Sequence, residues 1–306
     1  MTWRVIHRSG LPAVFFLSML LFAAAAGAGQ TRRVTDLAGR TMAVPVDPRR
    51  VVALAPSVTE IVFAIHRQNR LVGVSRFSDT PEAARALPKV GSYVHLDLER
   101  IVALKPDLCL AIRDGNPKAV VDRLEAMGIP VYAVDPRDLE SVMETVAAVG
   151  DLLNAQENAR RLVRDMRRRI DAVDRRVAKA VHRPRVFLQI GMTPIVSAGA
   201  STFLHELITR AGGVNAAAGA SAYPRFSREQ VIALAPEVLI ITSMNREGLF
   251  QQALAEWRHW PQIPAVANNR VHIVDSNCLD RPSPRLVEGL EQLARIIHPT
   301  LFEGAP

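Results

Sequence analysis

Four aromatic side chains stand on loops that should be polar. Phe77, Tyr93, Tyr223 and Phe226 lie on short connecting segments of a 306-residue chain that is only 5% aromatic. Core packing does not require rings there. The pattern points to a partly apolar wall for a large ligand, with Phe226 the one best suited to capping a core instead. Further on, Asn277, Cys278, Leu279, Asp280 and Arg281 form one loop, stiffened by Pro282 and Pro284. An arginine held there could donate to carboxylate, phosphate or amide oxygens of a ligand, although an arginine so placed can equally form a structural ion pair. His95, in the loop that carries Tyr93, has the chemistry to reach a metal centre within a ligand. His66, His205, His259 and His272 show no joint spacing of a metal site.

These residues suit contact chemistry better than bond-making chemistry, without excluding an enzyme. The chain lacks a GxSxG elbow, a Walker loop, HExxH and CxxC. The turn after the first apolar strand reads Ala55-Pro56-Ser57-Val58, with no GxGxxG. The carboxylates on the candidate loops are Asp114, Asp275 and Asp280, which are turn residues by default.

Two glutamates carry a different signal. Glu99 heads "LERIVALKPDLCLAI" (98–112) and Glu229 heads "REQVIALAPEVLIIT" (228–242). Val102-Ala103-Leu104 matches Ile232-Ala233-Leu234, Pro106 matches Pro236, and an apolar run follows in each. The chain therefore writes one helix–strand unit twice, each copy opening on an acid. A glutamate in a first helical turn is also favoured by the helix dipole.

The elements that must position these residues alternate. Strand patterns fall at 51–54, 71–75, 108–112 and 131–134, with helical patterns at 59–65, 98–104, 118–127 and 139–153. After a break, strands at 185–190, 238–242 and 271–274 alternate with helices at 202–211, 229–234, 249–257 and 285–297. Such alternation implies α/β lobes, each a largely parallel, doubly wound sheet covered on both faces. Between them, 155–181 has no Gly or Pro and carries one apolar stripe from Ala159 to Val181. That predicts a helix of roughly 40 Å at 1.5 Å per residue. The expected organisation is 1–28 an export segment, 31–153 an N-terminal lobe opening on a small hairpin, 154–183 an inter-lobe helix and 184–306 a C-terminal lobe. In open α/β sheets ligands lie beyond the carboxyl ends of the strands, so two facing lobes make a cleft. Its loops are 55–57, 76–78, 92–97, 113–116, 192–195, 222–227, 244–246 and 275–281.

Arg4, His7 and Arg8, an apolar run over 11–26 and the small residues Ala26-Gly27-Ala28 read as a cleavable secretory signal. No cysteine at that boundary suggests a lipid anchor. Export disfavours nucleic acid as the partner of a chain of net charge +8, which loses Arg4 and Arg8 on cleavage. Export would permit a disulfide, but the contexts of Cys109 and Cys278 do not suggest that they meet.

Together these features resemble the periplasmic substrate-binding proteins of the long-helix type (class III) that feed ABC importers, and within them the cobalamin-binding branch. The matching stretches are RVVALAPSVTE (50–60), VGVSRFSDTP (72–81), LERIVALKPDL (98–108), RVFLQIG (185–191), SREQV (227–231) and SPR (283–285). The resemblance implies two doubly wound lobes joined by one long helix, no catalysis, and a periplasmic, monomeric receptor. It implies a ligand that is cobalamin or a related corrinoid, delivered to an inner-membrane permease dimer with its ATPase. Ligand-contacting positions fall at Ser57 (backbone), Phe77, Tyr93, Tyr223 and the loop of Asn277 to Arg281. Two further aromatic positions of that branch are aliphatic here, Ile112 and Val196, and an acid is replaced by Asn277. A haem or ferric-siderophore receptor of the same class therefore stays open and, more remotely, a chelatase-like periplasmic enzyme. The resemblance also gives Glu99 and Glu229 a role: each would engage arginines of the permease, whose two-fold symmetry presents the same cationic pocket twice.

Overall fold

The computed structural model describes residues 30–219, 221–242 and 249–303. The export segment and the 244–246 loop lie outside the described residues. The chain opens with an antiparallel hairpin, β1 (Thr31–Thr35) and β2 (Thr41–Pro45). Then follow β3 (Val51–Ala53), α1 (Pro56–Ala64), β4 (Leu71–Val74), α2 (Leu98–Ala103), β5 (Leu108–Ile112), α3 (Lys118–Ala126), β6 (Val131–Val134), α4 (Leu139–Leu152) and α5 (Gln156–Val177). The second half contains β7 (Arg185–Gly191), β8 (Ile195–Ser197), α6 (Phe203–Arg210), β9 (Val214–Asn215), β10 (Arg225–Phe226), α7 (Arg228–Leu234), β11 (Val238–Ile241), α8 (Leu249–Arg258), α9 (Pro264–Ala267), β12 (Val271–Ile273), α10 (Leu286–Ile297) and α11 (Pro299–Phe302).

The N-terminal sheet has order β4-β3-β5-β6, all parallel. Strand alternation sorts its side chains into two cores, as a sheet buried on both faces requires. Val51, Ala53, Leu108, Leu110, Tyr132 and Val134 face α1 and α4, while Val52, Leu54, Cys109, Ala111, Val131 and Ala133 face α2 and α3. The C-terminal sheet runs β10-β8-β7-β11-β12, with β9 also on β7; β7, β11 and β12 are parallel. Here Val186, Leu188, Val238 and Ile240 pack towards α5, α6 and α10. Phe187, Leu239 and Ile241 pack towards α7, α8 and α9.

Helix α5 serves both lobes. Ala159, with Leu162 and Val163, closes the N-terminal core; Met166, Ile170, Val173 and Val177 belong to the C-terminal core. A bidentate pair from Arg169 to Glu291, 2.9 Å on each arm, pins it to α10. The helix is shorter than its stripe predicts. Lys179 and Ala180 already turn with i→i−3 bonds, and Val181 is fully exposed with nothing to pack against. Helix α1 begins three residues earlier than its apolar pattern does, because Pro56 at its first position is preset for helical φ. The pattern also misses β8, β9 and β10, which are two or three residues long and held by pairing along β7 or one another.

Candidate functional site

Segments that follow strand carboxyl ends in the two lobes meet, and side chains after β12 join them to α1 and to the loop after β4. Arg281 Nη1 donates to Glu60 Oε1 (3.0 Å) and Asp79 Oδ1 (3.1 Å), and Nη2 to the Phe77 carbonyl (3.1 Å). Ser283 Oγ donates to the other Glu60 oxygen at 2.6 Å. Glu60 sits on α1 and Asp79 after β4, so C-terminal-lobe donors clasp four acceptor atoms on three residues of the N-terminal lobe. The Glu60 side chain is 3% exposed and that of Arg281 15%. Burial pushes the Glu60 carboxyl above its ordinary range, against the pull of Ser283 and Arg281. Sequence reasoning left the ion-pair alternative for Arg281 open, and here much of its fork is committed to the other lobe. Glu60 and Asp79 were not singled out. The signal was present in a buried-type helix carrying one acid, but not the partner.

The aromatics divide as their surroundings dictate. Phe77 and Tyr223 are about half exposed, at 49% and 48%. The Phe77 loop is held by the clasp and by a hydroxyl chain in which Ser78 Oγ lies 2.9 Å from both Thr59 Oγ1 and Ser75 Oγ. Tyr93 lies over Gly115, where a Cβ would meet its ring at 3.0 Å. Asn116 fixes that arrangement, donating to Leu54 O (3.1 Å) and Tyr93 O (2.8 Å) while accepting from Ile112 N (2.8 Å). One amide thus ties the ends of β3 and β5 to the Tyr93 loop. Tyr223 approaches from the other lobe. Its phenol is pushed up by burial and then by the charges of Asp114, Asp280 and Tyr93, groups of both lobes. Phe226 instead packs edge-on against Phe187, centroids 5.3 Å apart, in the C-terminal core.

The last loop separates likewise. Cys278 and Leu279, expected among the ligand contacts, are 5% and 0% exposed in the C-terminal core, with Gly289 of α10 against them. The loop coils into a 3₁₀ turn over 276–278, in which side chains three positions apart share a side, so Cys278 and Leu279 turn into the core together while Asn277 and Asp280, three apart, fall elsewhere. Both cysteines are free, their thiols pushed up by burial to about 12 (Cys109) and about 11 (Cys278). Asn277 and Asp280 are a different case. Asn277 Oδ1 and Asp280 Oδ1 are buried and have no hydrogen-bond partner among the described residues. Leaving such an acceptor unanswered costs about 1–3 kcal/mol. Burial pushes the Asp280 carboxyl up to about 7, although Thr242 Oγ1 bonds its other oxygen at 3.2 Å.

Ser57 is buried in the first turn of α1, which has no side-chain cap, so its backbone donors are not answered by a capping side chain. His95 is exposed in a tight turn closed by Ser92. Among the described residues no group of three or more His, Cys, Asp or Glu could hold a metal ion.

The doubled unit is structural. Asp97 caps α2 and Ser227 caps α7; Glu99 and Glu229 are each the second residue of their helix, and both are exposed. Lys105 and Ala235 then take left-handed φ of 47° and 45°, and β5 and β11 follow. The Ser227 hydroxyl and a backbone amide hold the Glu229 carboxylate below its ordinary range.

The family model for periplasmic binding proteins matches residues 51–278. A vitamin B12-binding protein of Vibrio parahaemolyticus is 32% identical over 244 residues, 79% of this chain and 86% of the relative. The crystal structure of the periplasmic vitamin B12 binding protein BtuF of Vibrio cholerae superposes with a TM-score of 0.74 at 29% identity, covering 83% of this chain and 98% of that one. The periplasmic heme-binding protein RhuT from Roseiflexus sp. RS-1, in apo form, superposes with a TM-score of 0.75 at 26% identity, covering 83% and 99%.

Proposed function

The chain belongs to the periplasmic binding protein family, and from that premise we propose that it is the substrate-binding component of an ABC importer. It captures cobalamin or a related corrinoid between its lobes in the periplasm and hands it, as a monomer, to an inner-membrane permease dimer. The observation that supports this reading is the cleft itself. Phe77 and Tyr93 from one lobe and Tyr223 from the other supply ring faces for a broad, flat ligand, and the last loop supplies polar contacts. The similarity to vitamin B12-binding proteins supports a corrinoid as the ligand. No bond is made or broken: Asp280 and Asp114 are ligand contacts or turn residues, not catalytic groups.

A haem ligand is the second reading, favoured by the likeness to RhuT. Equilibrium titration of the mature protein with cobalamin, cobinamide, haem and ferric siderophores, read by absorbance, separates them. Saturation by either corrinoid at far lower concentration than by haem or siderophore is the expected result; the reverse order removes the corrinoid reading. Tyr93→Ala and Tyr223→Ala should each weaken the preferred ligand by roughly ten- to hundredfold, since a buried aromatic contact is worth about 1.5–3 kcal/mol. Unchanged affinity in both would take the two tyrosines out of the wall.

In the same proposal Glu99 and Glu229 face the permease, one from each lobe. A single chain can match a two-fold partner only by writing the same device twice, and a constant spacing of cap, acid, left-handed residue and strand does so.

A further inference from the structure

The last loop offers hydrogen-bond acceptors and no free cation of its own. Asn277 Nδ2 donates to Asp275 Oδ2 at 3.3 Å, which fixes the amide so that Oδ1 is the unanswered atom. Asp280 spends Oδ2 on Thr242 and leaves Oδ1 buried and bare. Arg281, the only cation between Asp275 and Arg281, is drawn into the other lobe by Glu60, Asp79 and the Phe77 carbonyl. Two buried oxygens three residues apart therefore wait for donors.

We propose, building on the corrinoid reading, that the ligand edge resting on this loop is recognised through its N–H donors, so that the site takes an amide-fringed macrocycle and rejects the same macrocycle fringed with carboxylates. An amide NH₂ satisfies Asn277 Oδ1 or Asp280 Oδ1. A carboxylate brings only acceptors to acceptors, and a like charge to Asp280. A site built around a buried hydrogen-bonding group discriminates strongly against an analogue that leaves the group unpaired. The groups around Asp280 agree with this sense. Thr242 and Arg281 favour its ionised form, and Asp275 opposes it; the Tyr223 phenol, which feels the Asp280 charge together with those of Asp114 and Tyr93, stays neutral. Because burial leaves Asp280 titrating near neutrality, an amide donor binds the ionised form better, and affinity for the amide ligand rises as pH passes upward through about 7.

The test uses matched pairs. Purified mature protein is titrated with cyanocobalamin and its b-, d- and e-monocarboxylic acids, in which one propionamide has become a propionate, and with haem and its bis-propionamide. The expected result is that at least one monocarboxylate binds about tenfold or more weakly than cyanocobalamin at pH 8. Asp280→Asn should shrink that gap and remove the rise with pH; Asn277→Asp, which adds a charge, should widen it. Equal affinity within whichever pair binds, or a gap unchanged in Asp280→Asn, overturns the inference. If only the haem pair binds, the corrinoid reading fails, yet preference for the bis-propionamide would still uphold the acceptor floor and preference for haem would overturn it.

Discussion

A strain producing the Glu99→Ala, Glu229→Ala double variant is expected to take up ligand no faster than a strain lacking the protein, while the purified variant binds ligand as tightly as the parent. Both side chains are exposed at the second position of short helices, and neither belongs to the cleft loops. Removing them leaves the caps Asp97 and Ser227 in place, so the helices themselves should persist. Exposed ion pairs add little affinity apiece but orient partners and speed their encounter, which is what a receptor that must load and leave requires. Each single variant should retain part of the uptake, because one lobe can still engage. The separating measurement is ligand affinity beside transport rate. If affinity fell in step with uptake, the carboxylates would belong to the ligand site and the docking assignment would be wrong.

Arg281→Met is expected to destabilise the protein by about 3 kcal/mol at pH 8, and by much less at pH 5. The substitution keeps much of the side chain's bulk and removes the cation that compensates Glu60, whose side chain is almost wholly buried. Glu60 would then keep Ser283 but lose its charge partner. Its carboxyl, already raised by burial, would rise further. An acid whose folded pKa lies above its unfolded value binds protons more tightly when folded. Stability is then fully present at low pH and falls as pH climbs from the unfolded value through the folded one. The loss should thus grow between pH 5 and pH 8 in urea or thermal unfolding. Adding Glu60→Gln should recover most of it and flatten the pH dependence. A loss equal at both pH values would mean that Arg281 matters for packing and not for the charge on Glu60.

Local regularities carried most of the fold. Strand runs such as Leu108–Ile112, the stripe of α5 and the matched openings at Glu99 and Glu229 are periodic over a few residues, so they are visible without a structure. The aromatics proposed for the wall stand out for a related reason, since a ring on a polar loop is locally anomalous. What was hidden depends on long separation. Glu60 and Arg281 are 221 positions apart, and only the meeting of the lobes makes them a pair. Asn116 reads as an ordinary loop amide until its three partners converge on it. Adjacency joins Cys278 and Leu279 to Asn277 and Asp280 in the sequence, but a turn of three residues per revolution gives neighbours different surroundings. β8 to β10 have too few residues to show a period at all.

Helix α5 has one further consequence. Because its first turns complete one core and its later turns complete the other, neither half of the chain owns a finished interior. Melting either half strips a wall from its neighbour, so heat should not dissolve the molecule in two stages. Calorimetry should register a single cooperative event, with the measured and van't Hoff enthalpies in agreement. What looks like a spacer is, in thermodynamic terms, shared property.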